Sequence, residues 1–201
     1  MKKIICALIA LCSIFALIAC GGNNNNGNGD GTVSVATFQT AINNTTPAFA
    51  TVKTSVTTAL GTLNAQYEIT YRADGSASID YNYERFNKLG EGADNEIKSV
   101  YTGTINRSAD GTLTGDVNDA PNLNNVAAGT AMNLAAIAAE NVTISESGDT
   151  LTASVAKDST LNVFGAAYTE DVNLVITIAN GKIDSIKITG DTMSIDCSYK
   201  Y

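Results

Sequence analysis

Alternation of apolar and polar positions dominates the chain from Tyr67 onward. In YEITYRADGSASIDYNYERF, Tyr67, Ile69 and Tyr71 fall on one side of an extended strand, and Ile79, Tyr81 and Tyr83 on one side of the next. A two-residue Asp-Gly turn would put these two rows on opposite faces. A three-residue loop, Asp74-Gly75-Ser76, pairs Tyr71 with Ile79 and keeps the aromatics together, so that loop is predicted. IKSVYTGTINR and TLTGDV form a second hairpin, turning at Ser108-Ala109-Asp110-Gly111. In VTISESGDTLTASVA a two-residue Gly148-Asp149 turn would set Val142 opposite Val155 and Ile144 opposite Ala153.

The C-terminal pattern is the clearest. DVNLVITIANGKIDSIKIT is a hairpin about Asn180-Gly181, a pair suited to a type I′ turn. Val172, Leu174, Ile176 and Ile178 share one face. Strict pairing would bring Ile183 to that face but send Ile186 and Ile188 to the other, so a bulge near Asp184-Ser185 is predicted. TMSIDCSYKY follows, with Met193, Ile195, Cys197, Tyr199 and Tyr201 on one side.

Two segments carry the helical period instead. Val35, Phe38 and Ile42 within SVATFQTAINN predict a short amphipathic helix over 34–44. Thr46-Pro47 forces an extended approach to ATVKTSVTTAL, read as a strand although Phe49, Val52, Val56 and Leu60 would also suit a helix. In the alanine-rich segment 118–140, Leu134, Ile137 and Ala138 predict a short helix on the sheet. The expected fold class is therefore α+β, mostly β: an antiparallel meander sheet of eight to ten strands, open or curled into a half-barrel. One N-terminal helix and one central helical insertion accompany it.

The first thirty residues speak of address. Lys2 and Lys3 precede an uncharged apolar run, Ile4 to Ala19, shorter than the ~20 residues a membrane-spanning helix needs. The run ends in Leu17-Ile18-Ala19-Cys20, which resembles the lipobox of bacterial lipoproteins. That resemblance implies cleavage before Cys20 and lipidation of its thiol. A simple secretory signal that happens to contain a cysteine is the alternative. The segment that follows, rich in glycine and asparagine, has nothing to bury and reads as a tether. The expected domains are a signal peptide at 1–19, lipidated Cys20 with a tether at 20–32, and one β-rich domain at 33–201. The implied location is extracytoplasmic, with acyl chains holding the protein to a bacterial membrane.

Composition removes several functions. The chain has 12 basic and 20 acidic side chains; loss of residues 1–19 takes two lysines and no acid, leaving a formal charge of −10. Such a surface repels nucleic acid phosphates, so nucleic acid is not an expected partner. With the signal removed and Cys20 lipidated, Cys197 stands alone and no internal disulfide is expected. There is no histidine, which removes the commonest general base and transition-metal ligand. No cofactor or catalytic motif is present, and Asp110 to Asp116 lacks the alternating acids of an EF-hand. The acids Asp94, Glu96, Asp116, Asp119, Glu170 and Asp171 read as exposed, solubilising charge.

The order helix, strands, helical insertion, strands is similar to the half-barrel of bacterial lipoprotein carriers. The resulting expectation is a lipid-anchored extracytoplasmic binding or interaction module with no enzymatic activity. It would hold an apolar ligand between the concave sheet face and segment 122–140. The candidate ligand residues are Tyr67, Tyr71, Tyr81, Tyr83 and Leu134, with cross-strand aromatic packing in the core as the plainer role for the tyrosines. One alternative is a ligand-free surface protein contacting cell wall or another protein; a histidine-free hydrolase is a third.

Overall fold

Ten strands and one α-helix follow from these patterns in a computed structural model that describes residues 33–88, 96–116, 132–159, 161 and 168–201. The expectations for the signal segment, Cys20, the tether and residues 122–131 of the central segment lie outside the described residues. Among those described, no helix is long and apolar enough to cross a membrane.

The N-terminal helix α1, Val35–Asn43, buries Phe38, Ala41 and Ile42 along one stripe. Its start is fixed by Ser34, whose N–H donates to Thr37 Oγ1 at 3.4 Å and whose carbonyl accepts the Thr37 N–H at 2.9 Å. The strands are β1 Phe49–Thr58, β2 Gly61–Tyr71, β3 Ala77–Lys88, β4 Glu96–Arg107 and β5 Leu113–Gly115. After the central segment come β6 Val142–Ile144, β7 Thr150–Val155, β8 Val172–Ala179, β9 Lys182–Thr189 and β10 Met193–Lys200.

All ten form one antiparallel sheet in the order β5-β4-β3-β2-β1-β10-β9-β8-β7-β6. This is not one continuous meander but two, joined where the first and last strands pair, Phe49 with Lys200 through Val56 with Met193. The chain starts at the sheet centre, walks to one edge, crosses to the other and walks back. A three-residue strand ends the order on each side.

One face carries the core. Ile69, Ile79, Ile105, Leu151, Leu174, Ile176, Ile183, Ile186 and Ile188 are fully buried on it. Helix α1 covers β8 and β9 on this side. Gln39 ties the central segment to that helix: its Nε2 donates to the Met132 carbonyl at 3.2 Å, and its Oε1 accepts the Leu134 N–H at 2.8 Å.

The C-terminal hairpin follows its sequence closely. Asn180 and Gly181 both take positive φ, 52° and 73°, as a type I′ turn requires. The register shifts between Thr177–Ser185 and Ile178–Ile183, leaving Asp184 as the extra residue and Ile183, Ile186 and Ile188 all in the core.

Three local expectations are corrected. The β2–β3 loop is three residues long but sits one residue earlier: Arg72 donates its N–H to Ser76 O at 2.9 Å, enclosing Ala73-Asp74-Gly75. Tyr71 therefore pairs with Ala77, and Ile69 with Ile79. This loop needs its last residue in the left-handed region, and only Gly75, at φ 84°, accepts that readily. The β6–β7 turn is a four-residue loop, Glu146 to Asp149, not a two-residue turn. Ser145 N–H donates to Thr150 O at 2.8 Å, and Val142 meets Ala153. Asp149 accepts the hydroxyls of Ser145, Ser147 and Thr150, which stabilises the wider loop. Finally, the described part of the central segment holds two 3₁₀ turns, Leu134–Ala136 and Ala139–Asn141, rather than an α-helix. Asn133 Oδ1 accepts the Ala135 N–H and starts a turn, and the extended backbone of Ile137 and Ala138 interrupts it.

Candidate functional site

The loop end of the sheet collects the start of β1, the β2–β3 loop, the β8–β9 turn and Tyr201. Thr46-Pro47 brings the chain from α1 onto this end in extended form. Ala48 then pins it: its N–H donates to Lys200 O at 2.8 Å and its carbonyl accepts the Tyr71 N–H at 3.0 Å. Between this strap and the β2–β3 loop lies a cleft of about 600 Å³, within the usual range for small-ligand sites.

Its walls divide by chemistry. Pro47, Ala48, Ala73 and the rings of Tyr71 and Tyr201 are apolar; Thr45 and Thr46 offer hydroxyls; Arg72 and Lys182 bring positive charge. Among the described residues no carboxylate side chain lines it, although acids outnumber bases in the chain. Tyr201 is held from two sides. Its Oη donates to the Ile183 carbonyl at 2.7 Å, and Lys182 Nζ lies 4.3 Å from its ring centroid. Burial pushes the Tyr71 phenol up to about 12; the nearby Cys197 adds to the rise and Arg107 offsets part of it. Tyr71 therefore stays neutral and able to donate a hydrogen bond across the ordinary pH range.

Of the five ligand residues expected from sequence, Tyr71 reaches the cleft. Tyr67, Tyr81 and Leu134 are buried in the core, at 3 %, 4 % and 1 % exposure. Burial, followed by the Tyr83 charge, raises the Tyr67 phenol to about 12. Tyr81 lies across from Gly103, whose missing side chain leaves room for the phenol, and its Oη donates to the Asp116 carbonyl at 3.2 Å. Tyr83 is half-buried and stacks on Tyr101, with centroids 4.7 Å apart and planes 12° from parallel. The sheet thus separates the five: three are core, one stacks near an edge and one faces a cleft.

Sequence reading missed Arg72, Lys182 and Tyr201. They belong to three distant segments that only the β2–β1–β10–β9 neighbourhood brings together. It also undervalued several acids. Asp116 Oδ2 accepts the Thr104 N–H at 3.2 Å, Asp171 Oδ1 the Lys157 N–H at 2.8 Å and Glu170 Oε1 the Thr192 N–H at 2.9 Å. These side chains cap open backbone donors as well as solubilising the surface.

The lining supplies aromatic faces, hydroxyls and two cations. Among the described residues the lining holds no carboxylate side chain and no imidazole, and Thr45 Oγ1 already donates to Ala41 O at 2.6 Å. Cys197 lies in the core, where burial pushes its thiol up to about 12, opposite to what a nucleophile needs. Among the described residues, no group of three or more metal-ligating side chains converges.

No family model matches the chain, and no curated protein matches it either. Among solved structures it is similar to the crystal structure of LprF from Mycobacterium bovis. The two are 11 % identical with a TM-score of 0.40, over 81 % of this chain and 89 % of that one.

Proposed function

We propose that this protein is a lipid-anchored, extracytoplasmic binding module whose ligand has an apolar body and an anionic group. The anchor is Cys20, lipidated before residues 1–19 are cleaved away and left as the N-terminus that carries the acyl chains. The ligand enters the cleft at the loop end of the sheet, against Tyr71 and Tyr201, with its anion between Arg72 and Lys182.

The observation that carries this reading is the composition of the cleft. Aromatic and aliphatic walls give an apolar ligand surface to bury, at roughly 25 cal/mol per Å². The two cations favour a carboxylate or phosphate on a protein that otherwise repels anions. Neither Arg72 nor Lys182 makes a salt bridge to a carboxylate among the described residues; Arg72 Nη1 donates to Ser76 Oγ at 3.4 Å and Lys182 sits over the Tyr201 ring.

Native mass spectrometry of residues 20–201 with Cys20→Ser, followed by organic extraction, tests the ligand directly. A discrete small-molecule adduct is expected, and titration with laurate should show saturable binding. Arg72→Gln with Lys182→Gln should weaken laurate binding at least tenfold and leave the thermal midpoint within a few degrees. A clean unliganded mass with no laurate binding would refute the cleft reading. It would favour a surface protein whose partners are other proteins or the cell wall. Metabolic labelling with a radioactive fatty acid tests the anchor: label on the parent but not on Cys20→Ser is the expected outcome.

A further inference from the structure

Among the described residues, β4 pairs with β5 only at Ile105 to Arg107, so from Glu96 to Thr104 it has β3 on one side and no described strand on the other. The outward direction of each backbone group can be read from Thr104. Its N–H donates to Asp116 Oδ2 at 3.2 Å and its carbonyl accepts the Asp116 N–H at 3.3 Å, both across the open edge. Residues two apart on a strand point the same way, so Lys98, Val100 and Thr102 also aim their N–H and C=O groups outward. No strand partner meets those groups among the described residues.

Native edges are usually blunted by charge, often by a lysine reaching over them. Here Lys98 is drawn back onto its own sheet. Its Nζ lies 2.7 Å from Glu84 Oε1 and 5.4 Å from the Phe86 ring centroid, both on β3. Beside the exposed Lys98, Thr102 and Thr104, the edge also shows large apolar side chains to solvent: Ile97 and Val100 are each 51 % exposed and Tyr101 39 %.

We infer that this edge pairs with the same edge of a second copy of the chain, antiparallel, about a two-fold axis through Val100. The symmetry follows from the stretch itself. Its midpoint between Glu96 and Thr104 is Val100, and Val100 is one of the outward-pointing residues. Setting Val100 against its own copy makes a hydrogen-bonded pair and places Lys98 against the copy's Thr102. All the outward groups of Lys98, Val100 and Thr102 are then satisfied. The side chains fit as well. On the core-facing side Tyr101 meets Ser99 of the copy and Ile97 meets Gly103, large against small each time. On the outer side Val100 meets Val100 and Lys98 meets Thr102, so no like charges are opposed. Beyond Thr104, β5 and Asp116 occupy the edge and end the pairing.

Residues 20–201 with Cys20→Ser, which retain the whole compact unit Thr32–Tyr201, give the test. Sedimentation velocity should show a monomer–dimer equilibrium that Val100→Lys shifts to monomer with an unchanged thermal midpoint. Hydrogen-bonded pairs bring Cα atoms to about 5.5 Å, suited to a disulfide. Val100→Cys should therefore link into a covalent dimer under mild oxidation. Lys98→Cys should not, because the axis leaves the two copies about 13 Å apart along the strand. Cys197 is buried and stays silent in both. A parent protein that is monomeric at every concentration overturns the inference, and so does equal cross-linking at positions 98 and 100. Should substitution at 100 cost the fold, hydrogen exchange of the parent decides. Protection of the Lys98, Val100 and Thr102 amides that is lost on dilution supports the pairing; fast exchange at all concentrations refutes it.

Discussion

Asp184 is the residue whose removal tests the reading of the C-terminal hairpin most sharply. Deleting it takes out the bulge and leaves every neighbouring pair in place: Ile178 with Ile183, Thr177 with Ser185 and Ile176 with Ile186. Ile183, Ile186 and Ile188 stay on the core face. The ladder to β10 begins only at Ser185 and is untouched. The main loss is the Tyr201 Oη bond to the Ile183 carbonyl, as the hairpin tip shifts, worth about 1 kcal/mol. Deleting Lys187, three residues on, has the opposite consequence. Ile188, fully buried between Leu174 and Ile195, would turn to the outer face, and Thr189 would turn toward the core. Losing the burial of one isoleucine costs about 1.5–3 kcal/mol. A buried threonine hydroxyl adds about 1–3 kcal/mol. Urea unfolding followed by far-UV circular dichroism measures both, and tyrosine emission gives a second probe because the chain has no tryptophan. Equal destabilisation by the two deletions would refute the assignment of Asp184 as a residue outside the pairing pattern.

Two further predictions rest on other parts of the sheet. Gly61, at φ 140°, lies so close to β3 that an added Cβ would fall 1.8 Å from the Phe86 carbonyl oxygen; Gly61→Ala should therefore cost at least about 2 kcal/mol. Gly111→Ala meets open space and pays only for its φ of 90°, so its thermal midpoint should fall much less. The second concerns alkaline pH. Burial raises the phenols of Tyr67 and Tyr71 and the thiol of Cys197 to about 12, from ordinary values of 10 and 9. The unfolded chain releases these protons first and so binds fewer of them, which makes the slope of stability against pH negative. Stability should be intact below pH 9 and fall steadily toward pH 12 in a urea series. In the same samples, Cys197 should ignore a thiol reagent at pH 8 until denaturant is added. A flat profile or a reactive native thiol would contradict the burial.

What the sequence determined by itself was local: which face each residue occupies and where the chain turns. A strand's two-residue period is written in its own side chains. The inward rows Tyr67–Ile69 and Met193–Ile195–Cys197–Tyr199, the Asn180-Gly181 turn and even the bulge at Asp184 could be read without knowing any partner strand. Loop lengths were less legible. Tyr71 with Ala77 and Tyr71 with Ile79 keep the same faces together, so alternation cannot choose between registers two residues apart. Turn geometry chose instead, through the left-handed position of Gly75. Tertiary structure alone decided that β1 pairs with β10, because nothing in either strand names a partner almost the whole chain away. That pairing sets Tyr71 and Arg72 beside Lys182 and Tyr201 and so makes the cleft. It also ends the first meander at β5, too short to cover β4, so that among the described strands none pairs with the edge at Val100. Burial and turning are properties of a segment, but a site or an edge belongs to the neighbours a segment acquires.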